Sequence, residues 1–217
     1  MVESKEPPNR IVWGAGTSRT MRAHWALHEL DLAYASNPIG SRTGETETDE
    51  YGRLNPSRKI PTLVDGDFVL AESGAIVNYL CGTYGKPGWL ALPRDTRRRA
   101  RYDQWCFFAL MELDATTTYV IRRHADLPEI YGEAPAAIKA ARDSYVRQAQ
   151  AAAARLGARP HALGDEFSGA DILLTTCLDS AIRCNIPLPE SLIEYRQRII
   201  GRPAYQRALA ANRRPGS

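Results

Sequence analysis

Three short constellations in the first 80 residues carry the residue types and spacing of a binding site. Ser18 opens a helical pattern just after Gly14-Ala15-Gly16-Thr17, Ile60-Pro61 leads into a strand pattern, and Glu72-Ser73 joins a strand to a helix. A helix N-terminus presents unsatisfied N–H groups and the positive end of the dipole, so a thiol bound beside a hydroxyl there is driven toward the thiolate. A free thiol with a pKa of about 8.5 is mostly protonated at neutral pH, and such surroundings lower that value. On local sequence alone Ser18 serves equally well as an ordinary cap. At Ser73 a backbone N–H and a hydroxyl can hold a carboxylate, while Glu72 can hold an ammonium group; together they suit an α-amino acid end. The local alternative is a cap preceded by an unrelated acid. An X-Pro bond entering a strand can be cis, leaving the peptide of Ile60 open to an extended ligand, although trans is the commoner form.

The elements that must position these residues read as an α/β unit followed by helices. Arg10 to Trp13 predicts a strand broken by the glycines. Ala23, Ala26, Leu27 and Leu30 then fall at helical spacing on one buried face, in a helix starting near Ser18. Ala33 to Ser36 predicts a second strand. A polar loop from Gly40 to Glu50 leads to a short helix that must stop near Asn55-Pro56. Thr62-Leu63-Val64 and Phe68-Val69-Leu70 flank Asp65-Gly66-Asp67, a hairpin signal, and Ser73 is expected to cap a helix reaching about Gly82.

Two prolines and two glycines between Tyr84 and Asp95 mark a domain junction, and everything beyond reads as helical. The spacing predicts one long helix over 96–124 and another over 136–156. Ser168 and Asp171 form a capping-box pattern, with Phe167 and Ile172 set to staple it, ahead of an uninterrupted apolar helix. The expected domains are 10–83 and 95–212, with polar ends 1–9 and 213–217 disordered.

A net charge of +3, with 44% hydrophobic and 24% charged residues, fits an ordinary globular chain and gives no basis for nucleic-acid binding. Arg97, Arg98, Arg99 and Arg101 read as a solvated helix start. Cys81, Cys106, Cys177 and Cys184 are widely spaced in apolar patterns, as core thiols of a reducing compartment are. The polar first nine residues lack a secretion signal, and no apolar run reaches the ~20 residues that span a bilayer, so a cytoplasmic protein without membrane attachment is expected. His24 and His28 stand at the i, i+4 spacing of a zinc face without an evident third ligand, so no metal is expected.

The run from Asn55 to Leu80, NPSRKIPTLVDGDFVLAESGAIVNYL, resembles the glutathione-site segment of cytosolic glutathione S-transferases. Gly14 to Ala23 is similar to the first loop and helix of their serine-type, theta-like bacterial members, and Phe167 to Asp171 to the capping box of their helical domain. The similarity covers residues 10 to 212.

The resemblance implies a thioredoxin-like first domain, an all-helical second domain, a homodimer, and glutathione as co-substrate without a metal. It matches Ser18 to the thiol-activating serine, with Thr17 its rival, and Ile60 and Pro61 to the cis-proline pair that holds the cysteinyl part. Glu72 and Ser73 match the residues that hold the γ-glutamyl end, and Lys59 sits where a side chain reaches the glycine carboxylate. Trp105, Phe108, Met111 and Tyr119 lie on the helix where the family builds its apolar pocket between domains, although at that spacing an aromatic stripe also reads as core. Thr20 stands where the family commonly has proline, and the absence of cysteine from residues 10 to 25 argues against the thiol-exchanging members. The implied activity is attack of the thiolate on a small hydrophobic electrophile, in detoxification. A glutathione-dependent isomerase, an ether-cleaving enzyme, a peroxidase or a non-catalytic glutathione-binding protein remain alternatives on the same scaffold.

Overall fold

The computed structural model describes residues 9–216; the expected disorder of residues 1–8 and 217 lies outside these. The chain divides into two compact units. One runs to Leu90 and resumes at Arg202, and the other is Ala91–Gly201.

In the first unit β1 (Arg10–Trp13), β2 (Ala35–Asn37), β3 (Thr62–Asp65) and β4 (Phe68–Ala71) form one sheet in the order β2-β1-β3-β4. β1 pairs parallel with β2 and antiparallel with β3, which pairs antiparallel with β4. This is the thioredoxin-like mixed topology. β2 begins two residues later than the sequence suggests. The β3–β4 hairpin turns at Gly66-Asp67, where only Gly66 has positive φ, so glycine stands first in a two-residue loop.

α1 (Ser18–Glu29) packs its apolar face inward, with Trp25, Ala26 and Leu27 fully buried. α2 (Asp49–Leu54) ends where Pro56 forbids continuation, and α3 (Ser73–Tyr84) follows β4 directly. The sequence-based partition carries the helical domain to residue 212, but α10 (Pro203–Ala211) belongs with the first unit. The reason is specific pairing with α1. Arg202 forks onto the buried Glu29 carboxylate with two contacts of 2.7 Å, and Tyr205 meets the Trp25 ring edge-on at 4.9 Å. Of the end expected to be disordered, 213–217, Arg214 is instead tied to Glu45 at 2.7 Å, and Asn212 just before it accepts from the Thr20 hydroxyl at 2.6 Å.

The second unit is all helical. The expected helix over 96–124 is continuous but not α throughout: α4 (Thr96–Phe108) passes into a π-helical stretch, Ala109–Thr118, then α5 (Tyr119–Ile121) and a second π stretch, Arg122–Asp126. Thr116, Thr117 and Thr118 each donate a hydroxyl to the carbonyl five residues back, at 2.7, 3.2 and 3.2 Å, which accommodates the wider turn. α6 (Pro128–Tyr131), α7 (Pro135–Leu156), α8 (Gly169–Arg183) and α9 (Glu190–Ile200) complete it.

α8 forms the core of this unit, with eleven consecutive residues from Gly169 to Asp179 buried. Its capping box is present, and the fully buried Asp171 carboxylate also accepts from Ala162 N at 2.7 Å and the Tyr195 hydroxyl at 2.7 Å. Phe167 lies edge-on to His161. Among the described residues no helix is long and apolar enough to cross a membrane.

Candidate active site

The loop after β1 is built around backbone that side chains would obstruct. Gly14 has φ +116°, and a Cβ there would lie 2.5 Å from Ile60 Cβ. Glycine thus lets the hydroxyl-bearing loop press against the residue before Pro61. Gly14 N and Ala15 N donate to Asn37 and Ile39 carbonyls at 2.8 and 3.0 Å, continuing the sheet into the loop.

The helix begins at Ser18, as the sequence predicts, but the capping side chain is that of the residue before it. Thr17, not Ser18, is the N-cap of α1; its Oγ1 accepts from Thr20 N at 3.0 Å, and Thr17 N donates back to Thr20 Oγ1 at 3.0 Å. A threonine thus serves where the usual capping box has Glu or Gln. Ser18 is the first helical residue, where a side chain is no longer needed for the cap.

Ile60-Pro61 is cis, as the sequence allowed. Two buried polar residues clamp the segment on either side of it. The Tyr51 hydroxyl donates to the Lys59 carbonyl at 2.8 Å and lies 2.9 Å from Thr62 Oγ1, while Asn55 Nδ2 reaches the same two groups at 2.7 and 3.2 Å. Burial raises the Tyr51 pKa, so the phenol stays a donor. Neither residue was singled out from sequence. The signal was there: a polar Asn one residue before proline at a helix end commonly bonds the backbone ahead of it. The Lys59 side chain is exposed.

Glu72 is the N-cap of α3 and Ser73 its first helical residue, so the cap falls one position earlier than expected. Glu72 is exposed and has φ +67°, ψ 112°, a conformation a non-glycine residue adopts only at a cost of ~1–3 kcal/mol. Ser73 is buried, and its Oγ accepts from Arg22 Nη1 at 3.1 Å. Arg22 is 1% exposed and projects from α1, so a buried guanidinium bridges the two helix starts. It went unnoticed in sequence although it lies four residues before Ala26, on the apolar face.

On the other side of α1, His24 and His28 converge on Tyr34. His24 Nδ1 is 2.8 Å and His28 Nε2 3.2 Å from the Tyr34 hydroxyl, and His24 Nε2 is 3.1 Å from the Gly14 carbonyl. Burial lowers the His24 pKa to about 4 and raises that of Tyr34 to about 12. In the neutral imidazole, Nε2–H donates to Gly14 O and Nδ1 accepts from Tyr34, so the pair braces the loop.

In the second unit Trp105 is buried, Phe108 and Tyr119 are half-buried and Met111 is exposed. Trp105 and Phe108 meet edge-on at 6.1 Å, with the Arg155 guanidinium over both rings at 5.3 and 4.6 Å. All four cysteines are free thiols, and burial pushes Cys106 up to about 12, away from nucleophilic use.

The first unit is a thioredoxin-like sheet with a cis-proline, a loop whose Gly14 packs on Ile60, and a second helix opened by Glu-Ser. The sequence profile of the "Glutathione S-transferase, N-terminal domain" matches residues 9–81. Glutathione S-transferase 2 of Anopheles gambiae is 39% identical over 112 residues, 50% of this chain and 48% of that protein, so the match spans about half of this curated relative. Glutathione S-transferase Z1 of Arabidopsis thaliana is 28% identical over 203 residues, 91% of this chain and 88% of that protein. The theta class glutathione S-transferase of Xanthomonas axonopodis pv. citri, solved with glutathione bound, is 32% identical with a TM-score of 0.80, covering 93% of this chain and 97% of that one. The chain belongs to the glutathione S-transferase family.

Proposed function

We propose that the chain is a glutathione transferase that binds glutathione on its first unit and attacks a small hydrophobic electrophile with the thiolate. The observation that carries this reading is the convergence of all three constellations: Gly14 packs on Ile60, and Arg22 joins α1 to Ser73. In this arrangement Glu72 takes the α-ammonium and Ser73 with its backbone N–H the α-carboxylate of the γ-glutamyl end. The backbone of Ile60, set by Pro61, pairs with the cysteinyl peptide, and Lys59 faces the glycine carboxylate. The glutathione-bound Xanthomonas relative supports the ligand.

Ser18 donates a hydrogen bond to the sulfur, and the start of α1 adds to stabilisation of the charge. Thr17 is the lesser candidate, because its oxygen serves the cap. The thiol proton passes to solvent, a carbon–sulfur bond forms, and the leaving group departs with its electron pair. Trp105, Phe108, Met111 and Tyr119 remain the candidates for holding the electrophile, with Trp105 backing Phe108. No metal is invoked. A cytoplasmic homodimer belongs to the same proposal; free buried thiols are in keeping with a reducing compartment.

Calorimetric titration with glutathione, followed by conjugation of a generic aryl halide, tests the reading. Binding with turnover supports it. Binding without turnover across diverse electrophiles favours a ligand-binding protein, and no binding removes the proposal.

A further inference from the structure

We propose that Asn212, at the C-terminal end of α10, is a positioning residue that fixes the Gly16–Thr20 loop on which Ser18 serves the thiol. The inference rests on the reading that glutathione sulfur lies at this loop.

The Asn212 side chain contacts the loop on both sides of Ser18. Its Oδ1 accepts from the Thr20 hydroxyl at 2.6 Å and from Gly16 N at 3.2 Å, and its Nδ2 donates to the Thr17 carbonyl at 3.0 Å. The Asn212 carbonyl also accepts from Gly16 N, at 2.8 Å. Gly16 has φ +83°, a conformation that suits glycine, and the tail passes over it: a Cβ there would lie 3.2 Å from Arg214 Cδ. A Cβ at Gly40 would lie 2.5 Å from Arg214 Cζ, so two glycines leave the track along which this arginine passes. Its guanidinium then pairs with Glu45 at 2.7 Å, and the same Glu45 oxygen accepts from Gly40 N at 2.9 Å. The tail is a strap, joined to the loop by Asn212 and buckled by Arg214.

The Thr20 hydroxyl has three acceptors in reach, Asn212 Oδ1 at 2.6 Å, the Thr17 carbonyl at 2.9 Å and Thr17 Oγ1 at 3.0 Å. The bond to Asn212 is the shortest, so this side chain braces the capping box from outside at Thr20 while it also holds Gly16 N. Removing Asn212 leaves the capping box closed on itself but takes away the hold on Gly16 N, the Thr17 carbonyl and the Thr20 hydroxyl. The loop that carries Ser18 then loses its fixed geometry. A misplaced donor costs rate without altering the groups that hold the rest of the ligand.

The test is the titration of glutathione thiolate on the saturated enzyme, followed by its ultraviolet absorbance, with kcat and KM for glutathione, in wild type, Asn212→Ala, Asn212→Asp and Arg214→Ala. Asn212→Ala is expected to raise the bound thiol's midpoint by about one unit and lower kcat about tenfold, with KM for glutathione within about twofold. Asn212→Asp, which keeps an acceptor for Thr20 and Gly16 but loses the donor to the Thr17 carbonyl and adds a negative charge, is expected to raise the midpoint at least as far as Asn212→Ala. Arg214→Ala moves both in the Asn212→Ala direction by less, and carries the test if Asn212→Ala does not fold. An unchanged midpoint in Asn212→Ala, or in Arg214→Ala where that variant stands in, overturns the proposal even if kcat falls, because a merely structural role lowers kcat without moving the titration. Wild-type enzyme that shows no bound thiolate removes the underlying site reading instead, whatever the variants do.

Discussion

Arg22 Nη1 donates to Ser73 Oγ over 3.1 Å, joining the second turn of α1 to the first turn of α3 through a guanidinium that is 1% exposed. A hydrogen bond to a charged group contributes about 1.5–3 kcal/mol. Arg22→Met, which keeps most of the volume, is expected to lower stability by about that amount in urea unfolding. It should also weaken glutathione binding in calorimetry, since Ser73 loses the partner that orients it. Unchanged affinity would show that Ser73 is oriented by α3 alone.

The one-residue displacement of the cap separates two neighbouring hydroxyls. Thr17→Ala is expected to cost about 1 kcal/mol of stability, as loss of an N-cap does, with little change in kcat. Ser18→Ala should leave the unfolding midpoint in place and lower kcat by about 10²–10³, as removal of one donor to a developing anion does. The reverse pattern would assign the thiol to Thr17.

Glu72 combines an exposed carboxylate with φ +67°, so its backbone and side chain can be separated by substitution. Glu72→Gln keeps the backbone as it is and should weaken glutathione binding by loss of the charge that pairs with the ammonium. Glu72→Gly should weaken binding equally while unfolding no more easily than Glu72→Gln, because glycine adopts this conformation without strain. Differential calorimetry of the two free variants decides it. A glycine variant clearly less stable than the glutamine one would mean that the conformation carries no strain.

Burial holds the His24 imidazole neutral, its pKa lowered from 6.5 to about 4. The unfolded chain takes up a proton between these values that the folded chain refuses, so stability falls as pH drops from 6.5 to about 4 and is unaffected by this group above that window. The loss across the window is of order 3 kcal/mol. His24→Gln, which keeps a polar partner toward Tyr34 and cannot titrate, should flatten that limb of the stability profile. A limb that survives the substitution belongs to another group.

By itself the sequence determined whatever depends on near neighbours. The Gly66 turn, the helix stop before Pro56, the apolar face of α1 and the Ser168–Asp171 cap each follow from φ preferences, periodicity or hydrogen bonds spanning a few residues. The segment from Asn55 to Leu80 also carried the family resemblance and five of the candidate site residues, Lys59, Ile60, Pro61, Glu72 and Ser73. Even there, the cap was legible only to within a residue: Thr17 and Ser18 are neighbouring hydroxyls of similar capping preference, and at α3 the cap falls on Glu72, which makes no side-chain cap bond, rather than on Ser73. The rest was decided in three dimensions. Arg22 is tolerated in the core because Ser73, 51 residues on, meets it there. α10 leaves the helical span for the first unit because Glu29 and Trp25 offer it an ion pair and a ring edge. Asn212 reaches Thr20 across 192 residues of chain, a pairing with no local signature, since its energy exists only once the sheet, α1 and α10 have closed around the same loop.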